Sequence, residues 1–266
     1  MRSDLFRIMG VGNGEKLGTS TQNQLAHWFR GCPGVFLSEQ EQACLDKRVA
    51  SLFGHHIVQI GCTNPTADLL QKSPARHHAV LGKSLRGGHP ELDLCADPAL
   101  LPFATDSVDA VVLPHTLDFS SHPHQVLREV ERILIPEGRL LIIGFNPWSL
   151  WGGWRLLRRR SGVSPWNGRF FTTWRIHDWL TLLGFDLESC DQLMYRPPLR
   201  NPALMQRLEF LEGMGQRWWP VIGGVYVLQA VKRTVTLTPI RPRWRMGKRV
   251  LPANAVEPTT RTKWTN

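Results

Sequence analysis

The sequence predicts an α/β fold built on a mostly parallel sheet, on three observations. From His56 onward, short β-branched apolar runs alternate with segments of helical period, the pattern of a parallel sheet with helices on both faces. Ala110 to Leu113 is apolar at every position, as a strand covered on both faces requires. The chain has 266 residues, 42% hydrophobic and 20% charged, which is enough to bury a large core.

The elements follow in order. TSTQNQLAHWFR reads as a helix with Ser20 or Thr21 as N-cap, ending at Gly31. SEQEQACLDKRVASLFG reads as a second helix. Its expected N-cap is Ser38, with Glu41 at the capping-box spacing, and its apolar stripe is Ala43, Leu45, Val49 and Leu52. HIVQIG is the first strand, TADLLQK a short helix, HHAVLG the second strand, LDLCAD the third and VDAVVLPH the fourth. HPHQVLREVERILI is an amphipathic helix with Val126, Leu127, Val130, Ile133 and Leu134 on one side. A turn at Pro136–Gly138 then leads into a fifth strand, Arg139 to Phe145. A helix ending at Gly184, a strand after it and a last strand over Val221–Arg233 complete the pattern.

Composition narrows the function classes. No apolar run reaches the roughly 18 residues that span a bilayer. The N-terminus lacks an apolar run followed by a cleavage site, so the expectation is a cytoplasmic protein. The five cysteines are scattered without a C-x-x-C pair, so no metal site is expected. Of the net charge of +10, Lys232 to Asn266 contributes +8, with nine Lys or Arg and one acid, leaving +2 for the rest. The body is therefore not a basic nucleic-acid surface by itself. The expected organisation is a flexible N-terminus over 1–18, a domain over 19–233 and a basic, disordered tail over 234–266.

The most informative stretch is LDLCADPALLPFATDSVDAVVLPHTLDFSSHPHQVLREVERILIPEGRLLIIGFN, Leu92 to Asn146. Asp97, Leu101-Pro102-Phe103, Asp106, Asp109, His115, Leu117, Pro123, Leu127, Glu129, Arg132, Leu134, Pro136, Gly138 and Leu140 stand in order and with the gaps of a known pattern. The segment resembles the second half of a class I S-adenosylmethionine-dependent methyltransferase of the type 11-like kind. Over roughly residues 24–233 the chain is similar to the bacterial YafS-like proteins, including the FNP after strand five. The resemblance implies a Rossmann-like seven-stranded methyltransferase sheet, mostly parallel with an antiparallel last strand, and S-adenosyl-L-methionine as cofactor.

Open α/β sheets bind ligands beyond the carboxyl ends of their strands. Gly61, Asp97 and the Leu113–His115 segment follow strands one, three and four and so reach that edge. The resemblance gives Asp97 the adenine amino group, with Leu101 and Phe103 as walls. The other reading of Asp97 is a loop-capping carboxylate. His115 is placed to act as a base, or to bond the loop backbone. Asp118 and His122 lie in the following loop and are weaker candidates for that role.

The first half of the pattern departs from the family. An acid on strand one followed by Gly-x-Gly-x-Gly is replaced by Gln59, Gly61, Thr63 and Pro65. Thr and Pro lack the backbone freedom of glycine. The acid expected after strand two is absent, and Ser84 is the residue left to bond a ribose hydroxyl. From Ser84 to Leu92 there is no room for a usual crossover of about ten residues. Two functions stay open. One is a methyltransferase with a remodelled pocket acting on a small acceptor, apolar or anionic. The other is a methyltransferase-fold pseudoenzyme serving as a binding or partner module.

Residues 146–170 form a Trp/Arg-rich insertion within a longer acid-free stretch, 138–177. Trp148, Trp151 and Trp154 recur at intervals of three, and Arg155 and Arg158–Arg160 follow. A mobile cover over an apolar acceptor, an anchor to an anionic membrane, a nucleic-acid contact shared with the basic tail, and plain packing on the sheet are the alternatives.

Overall fold

A computed structural model describes residues 24–50, 52, 54–61, 69–70, 73–82, 93–158 and 165–234. The expectations for 1–18, the helix over TADLLQK (all but two residues), Ser84 and the tail from 235 lie outside those residues. Seven strands form one sheet in the order β3-β2-β1-β4-β5-β7-β6. They are β1 His56–Ile60, β2 His77–Gly82, β3 Leu94–Cys95, β4 Val108–Pro114, β5 Leu134–Phe145, β6 Phe185–Leu193 and β7 Val225–Lys232. β1 to β5 pair in parallel, while β7 runs antiparallel to both β5 and β6. The carboxyl ends of β1 to β6 therefore share one edge.

Alternation sorts the strands between two cores, as a period of two requires. Ile57, Leu141, Ile143 and Phe145 face one side, with residues 24–29 (α1), α2 (Gly34–Val49) and α5 (Leu150–Arg158). Val58, Ile60, Leu140 and Ile142 face the other, under α4 (Pro123–Ile133) and α6 (Thr173–Leu182). A one-turn helix, α3 (Thr116–Phe119), links β4 to α4. The helices α7 (Pro202–Arg207) and α8 (Phe210–Trp218) link β6 to β7 at the carboxyl edge.

Several boundaries differ from the sequence reading. α2 begins at Gly34 rather than at Ser38, and its buried stripe is Leu37, Glu41, Leu45 and Val49, with Ala43 exposed. Glu41 is thus a core-facing residue and not a capping partner. β5 starts at Leu134, because Leu134 pairs with Val108 before a register shift carries Ala110 onto Arg139. The PEG sequence lies inside that irregular strand, with Glu137 at φ +62°.

The residues of the 92–146 pattern mostly hold the scaffold. Glu129 Oε2 accepts from the Leu101 amide (3.1 Å), and Arg132 donates to the carbonyls of Phe103 (2.9 Å) and Leu101 (3.1 Å). Asp109 accepts from the amides of His55 and His56 at the start of β1. Asp106, at φ +51°, receives the buried ammonium of Lys232 at the end of β7 (2.9 Å).

Candidate active site at the carboxyl edge

The edge is built outward from β1 and β4. Gly61 ends β1 at φ +97°, a conformation that favours glycine. Its amide donates to Leu81 O (2.7 Å), and the Thr116 hydroxyl occupies the space a Cβ would take. That hydroxyl bonds Ile60 O, tying the ends of β1 and β4 together. Gln59 is buried and donates to Gly61 O (3.2 Å), so the residue standing where the family has an acid braces the loop from beneath.

Asp97 is exposed in the turn after β3, and its Oδ1 accepts from the Ala99 amide (3.0 Å). Leu101 and Leu113 are buried in the core on the α4 side, and Phe103 is half-buried against it. The structure thus brings Gly61 and the end of β4 together, sets Asp97 on the same edge, and packs Leu101 and Leu113 beneath it.

His115 has 0% of its surface exposed and sits at φ +51° after β4. Its Nε2 lies 2.8 Å from Glu41 Oε1 and its Nδ1 3.2 Å from Asp118 Oδ2. The ring stacks on Phe145 at 4.2 Å. Burial pushes its pKa down, but the Glu41 charge and the bonds to both carboxylates outweigh this and raise it to about 9. At neutral pH the ring is therefore an imidazolium donating from both nitrogens. Asp118 Oδ2 also accepts from the Phe145 amide (3.0 Å). Burial pushes the Asp118 carboxyl up, against the pull of its His115 and Phe145 bonds. Asp118 Oδ1 and the Tyr226 hydroxyl are buried without a hydrogen-bond partner among the described residues. Tyr226 is raised above the usual phenol range by burial and by Asp118.

The sequence reading missed Glu41 and Tyr226 as members of this cluster. A signal existed for Glu41: Leu37, Glu41 and Leu45 share one helical stripe, and an acid inside such a stripe needs a buried partner.

Beside the edge, α1, α5 and the loop after β6 enclose a cleft of about 520 Å³. Trp28, Trp154, Trp166 and Leu199 form its apolar walls, and Arg158 and Arg200 add positive charge. The three tryptophans of the regular interval separate here. Trp151 is fully buried between Trp28, Phe145 and Trp166 and donates to Arg196 O (2.8 Å). Trp154 lines the cleft, and Trp148 is 75% exposed. Trp151 is a core residue, so α5, the helical part of 146–158, is docked on the sheet.

Comparison with known proteins agrees with this architecture. A methyltransferase-domain family model matches residues 47–142. YafS of Escherichia coli strain K12 is 35% identical over 187 residues, covering 70% of this chain and 72% of YafS. The chain belongs to the YafS family. Among solved structures, a SAM-dependent methyltransferase from Thermotoga maritima superposes with a TM-score of 0.57 at 18% identity, over 82% of this chain and 99% of its own. One from Archaeoglobus fulgidus gives 0.52 at 14% identity, over 72% and 92%. This YafS-family chain thus has the fold and domain of a S-adenosylmethionine-dependent methyltransferase, and S-adenosylmethionine is the cofactor to which the domain points. Among the described residues no group of His, Cys, Asp or Glu is arranged to hold a metal, and no helix is long and apolar enough to cross a membrane.

Proposed function

We propose that the protein is a cytoplasmic methyltransferase acting on a small acceptor with an apolar or aromatic body and an anionic group. The observation that carries the acceptor class is the tryptophan-walled cleft with Arg158 and Arg200, lined from α1, α5 and the loop after β6. The described residues fit the adenosine end of the cofactor. Asp97 is exposed in the turn after β3, and the resemblance to the methyltransferase pattern supports giving it the adenine amino group. Gly61, at positive φ after β1, is the glycine kept from the family's first loop.

When bound, S-adenosylmethionine supplies an activated methyl group, so the protein's task is mainly to position the acceptor in line and exclude water. Trp28, Trp154 and Trp166 would hold the acceptor's apolar body, and Arg200 its charge. We assign His115 a positioning role. Its two nitrogens are committed to Glu41 and Asp118, and it fixes the carboxyl end of β4 against α2. A second reading, a cofactor-free binding module, draws on the Thr116 hydroxyl filling the space beside Gly61.

The test is formation of S-adenosylhomocysteine from S-adenosylmethionine with a panel of aromatic and aliphatic carboxylates and phosphates. Product with apolar anions and none with neutral or cationic amines supports the proposal. Product with amines alone contradicts the acceptor class. Absence of both cofactor binding and product with every acceptor favours the cofactor-free binding module.

A further inference from the structure

Residues 198–220 gave no clear pattern in the sequence, and in the structure part of them joins 221–222 in an exposed apolar surface. On α8, Phe210, Met214 and Trp218 lie four apart and all face solvent, and Trp219, Val221 and Ile222 continue the surface beyond the helix. Trp218 is 71% exposed, and so large a contiguous apolar surface marks an interaction site.

The surface is rigidly mounted. Gly215 lies against the Tyr195 ring, with no room there for a side chain. Glu212 receives the buried Arg196 guanidinium at 2.9 Å, so its charge is spent inside the fold. Asn146 Nδ2 donates to Val221 O (2.9 Å) and Gly223 O (3.0 Å), and Asn146 Oδ1 accepts from the Trp148 amide (3.0 Å). These bonds tie the loop that carries the exposed Trp148 to the 221–223 segment. Two separate loops, after β5 and after β6, thus contribute to one face on the ligand-binding edge.

Charge selects the occupant. Arg200, Arg207 and Arg217 are exposed around α7 and α8, and Glu209 is the exposed acid there. The whole chain carries +10, of which +8 lies from Lys232 onward. Two such chains repel one another, whereas an anionic bilayer attracts each of them. Tryptophan is the side chain most at home at the boundary between headgroups and acyl chains. We propose that α8, the 219–222 segment and Trp148 seat the protein on the surface of an anionic lipid bilayer, lying in the interface without crossing it. The proposal is independent of methyl transfer.

The test is sedimentation of the full chain with vesicles of phosphatidylcholine alone or with phosphatidylglycerol. The expected result is binding to the anionic vesicles, with a blue shift of tryptophan emission, weakened by salt. Trp218→Ser with Trp219→Ser should lower partitioning at least about tenfold, with the melting temperature unchanged because both side chains are exposed. Trp148→Ser, on the other loop, should lower it less and serves if the double variant unfolds. Binding by the variants equal to that of the natural chain would mean that the basic tail alone is responsible, and would overturn the proposal. So would absence of binding to either vesicle. A dimer in solution that these substitutions convert to monomer would assign the face to a second copy instead.

Discussion

Two ties hold the loops of the ligand-binding edge, and they are built from opposite materials. Glu129 and Arg132 on α4 grip the Leu101–Phe103 loop from a partly exposed position, with carbonyls and an amide as partners. Glu41, His115 and Asp118 grip the end of β4 from a fully buried position, with charges as partners. The first tie is legible in sequence because both its residues lie within one short pattern. The second joins residues 74 apart in the chain and is visible only in the fold. Burial makes the second less forgiving, since removing one partner strands a charge away from water.

The largest effect is therefore expected from the buried tie. Glu41→Ala should destabilise the fold by about 3–5 kcal/mol, read as a fall in denaturation midpoint, and Glu41→Gln by less because it keeps a bond to His115. Equal and small losses in both would show that the imidazolium is not held by that charge. Trp151→Ala should cost a similar amount, about 3–5 kcal/mol, by opening a cavity between Trp28, Phe145 and Trp166. If Trp151→Ala is neutral, α5 is not docked as described.

Arg132→Ala should cost less, about 1–2 kcal/mol, through lost bonds to Leu101 and Phe103. It should also weaken cofactor binding, because the Asp97 turn leads into that loop. A variant with normal stability and normal binding would separate the loop from the site.

The two ties should also fail at opposite ends of the pH scale. His115 has a folded pKa of about 9, above its ordinary value of 6.5. Its contribution is complete below pH 6.5 and is lost as pH rises through about 9. Asp118 is also raised, by burial first, so its loss begins as pH rises above the ordinary carboxyl value of 3.8 and is separate from the His115 window. Glu129 is held below its ordinary value by the Arg132 bond, so its contribution is present above that value and is lost as pH falls. Stability should thus decline on the alkaline side in a way that Glu41→Gln reduces, and on the acid side in a way that Arg132→Ala reduces. An unchanged alkaline limb in Glu41→Gln would contradict the buried tie.

The same contrast explains what the sequence disclosed. The succession of strands was legible from their apolar runs, and the 92–146 segment from its match to the family pattern, in which Glu129, Arg132, Asp106 and Asp109 stand close together in the chain. The start of α2 was not, since Ser38 and Glu41 satisfy a capping-box spacing that competes with the true stripe through Leu37, Glu41 and Leu45. α7 and α8 were not, because their apolar residues face outward and the helices are short. In the site, Gly61 and Asp97 could be placed at the edge by strand order alone. The locking of His115 could not, because Glu41 lies in a different element.

The central claim is that the edge still binds S-adenosylmethionine although its first loop departs from the family. Isothermal titration of the full chain with S-adenosylmethionine, repeated on Asp97→Ala, tests it most directly. Asp97 is exposed but caps the Ala99 amide, so the variant should lose only about 1 kcal/mol of stability and stay folded, while its affinity falls at least about tenfold, the loss of about 1.4 kcal/mol. No heat of binding to the natural chain, or equal affinity in Asp97→Ala, would contradict the account.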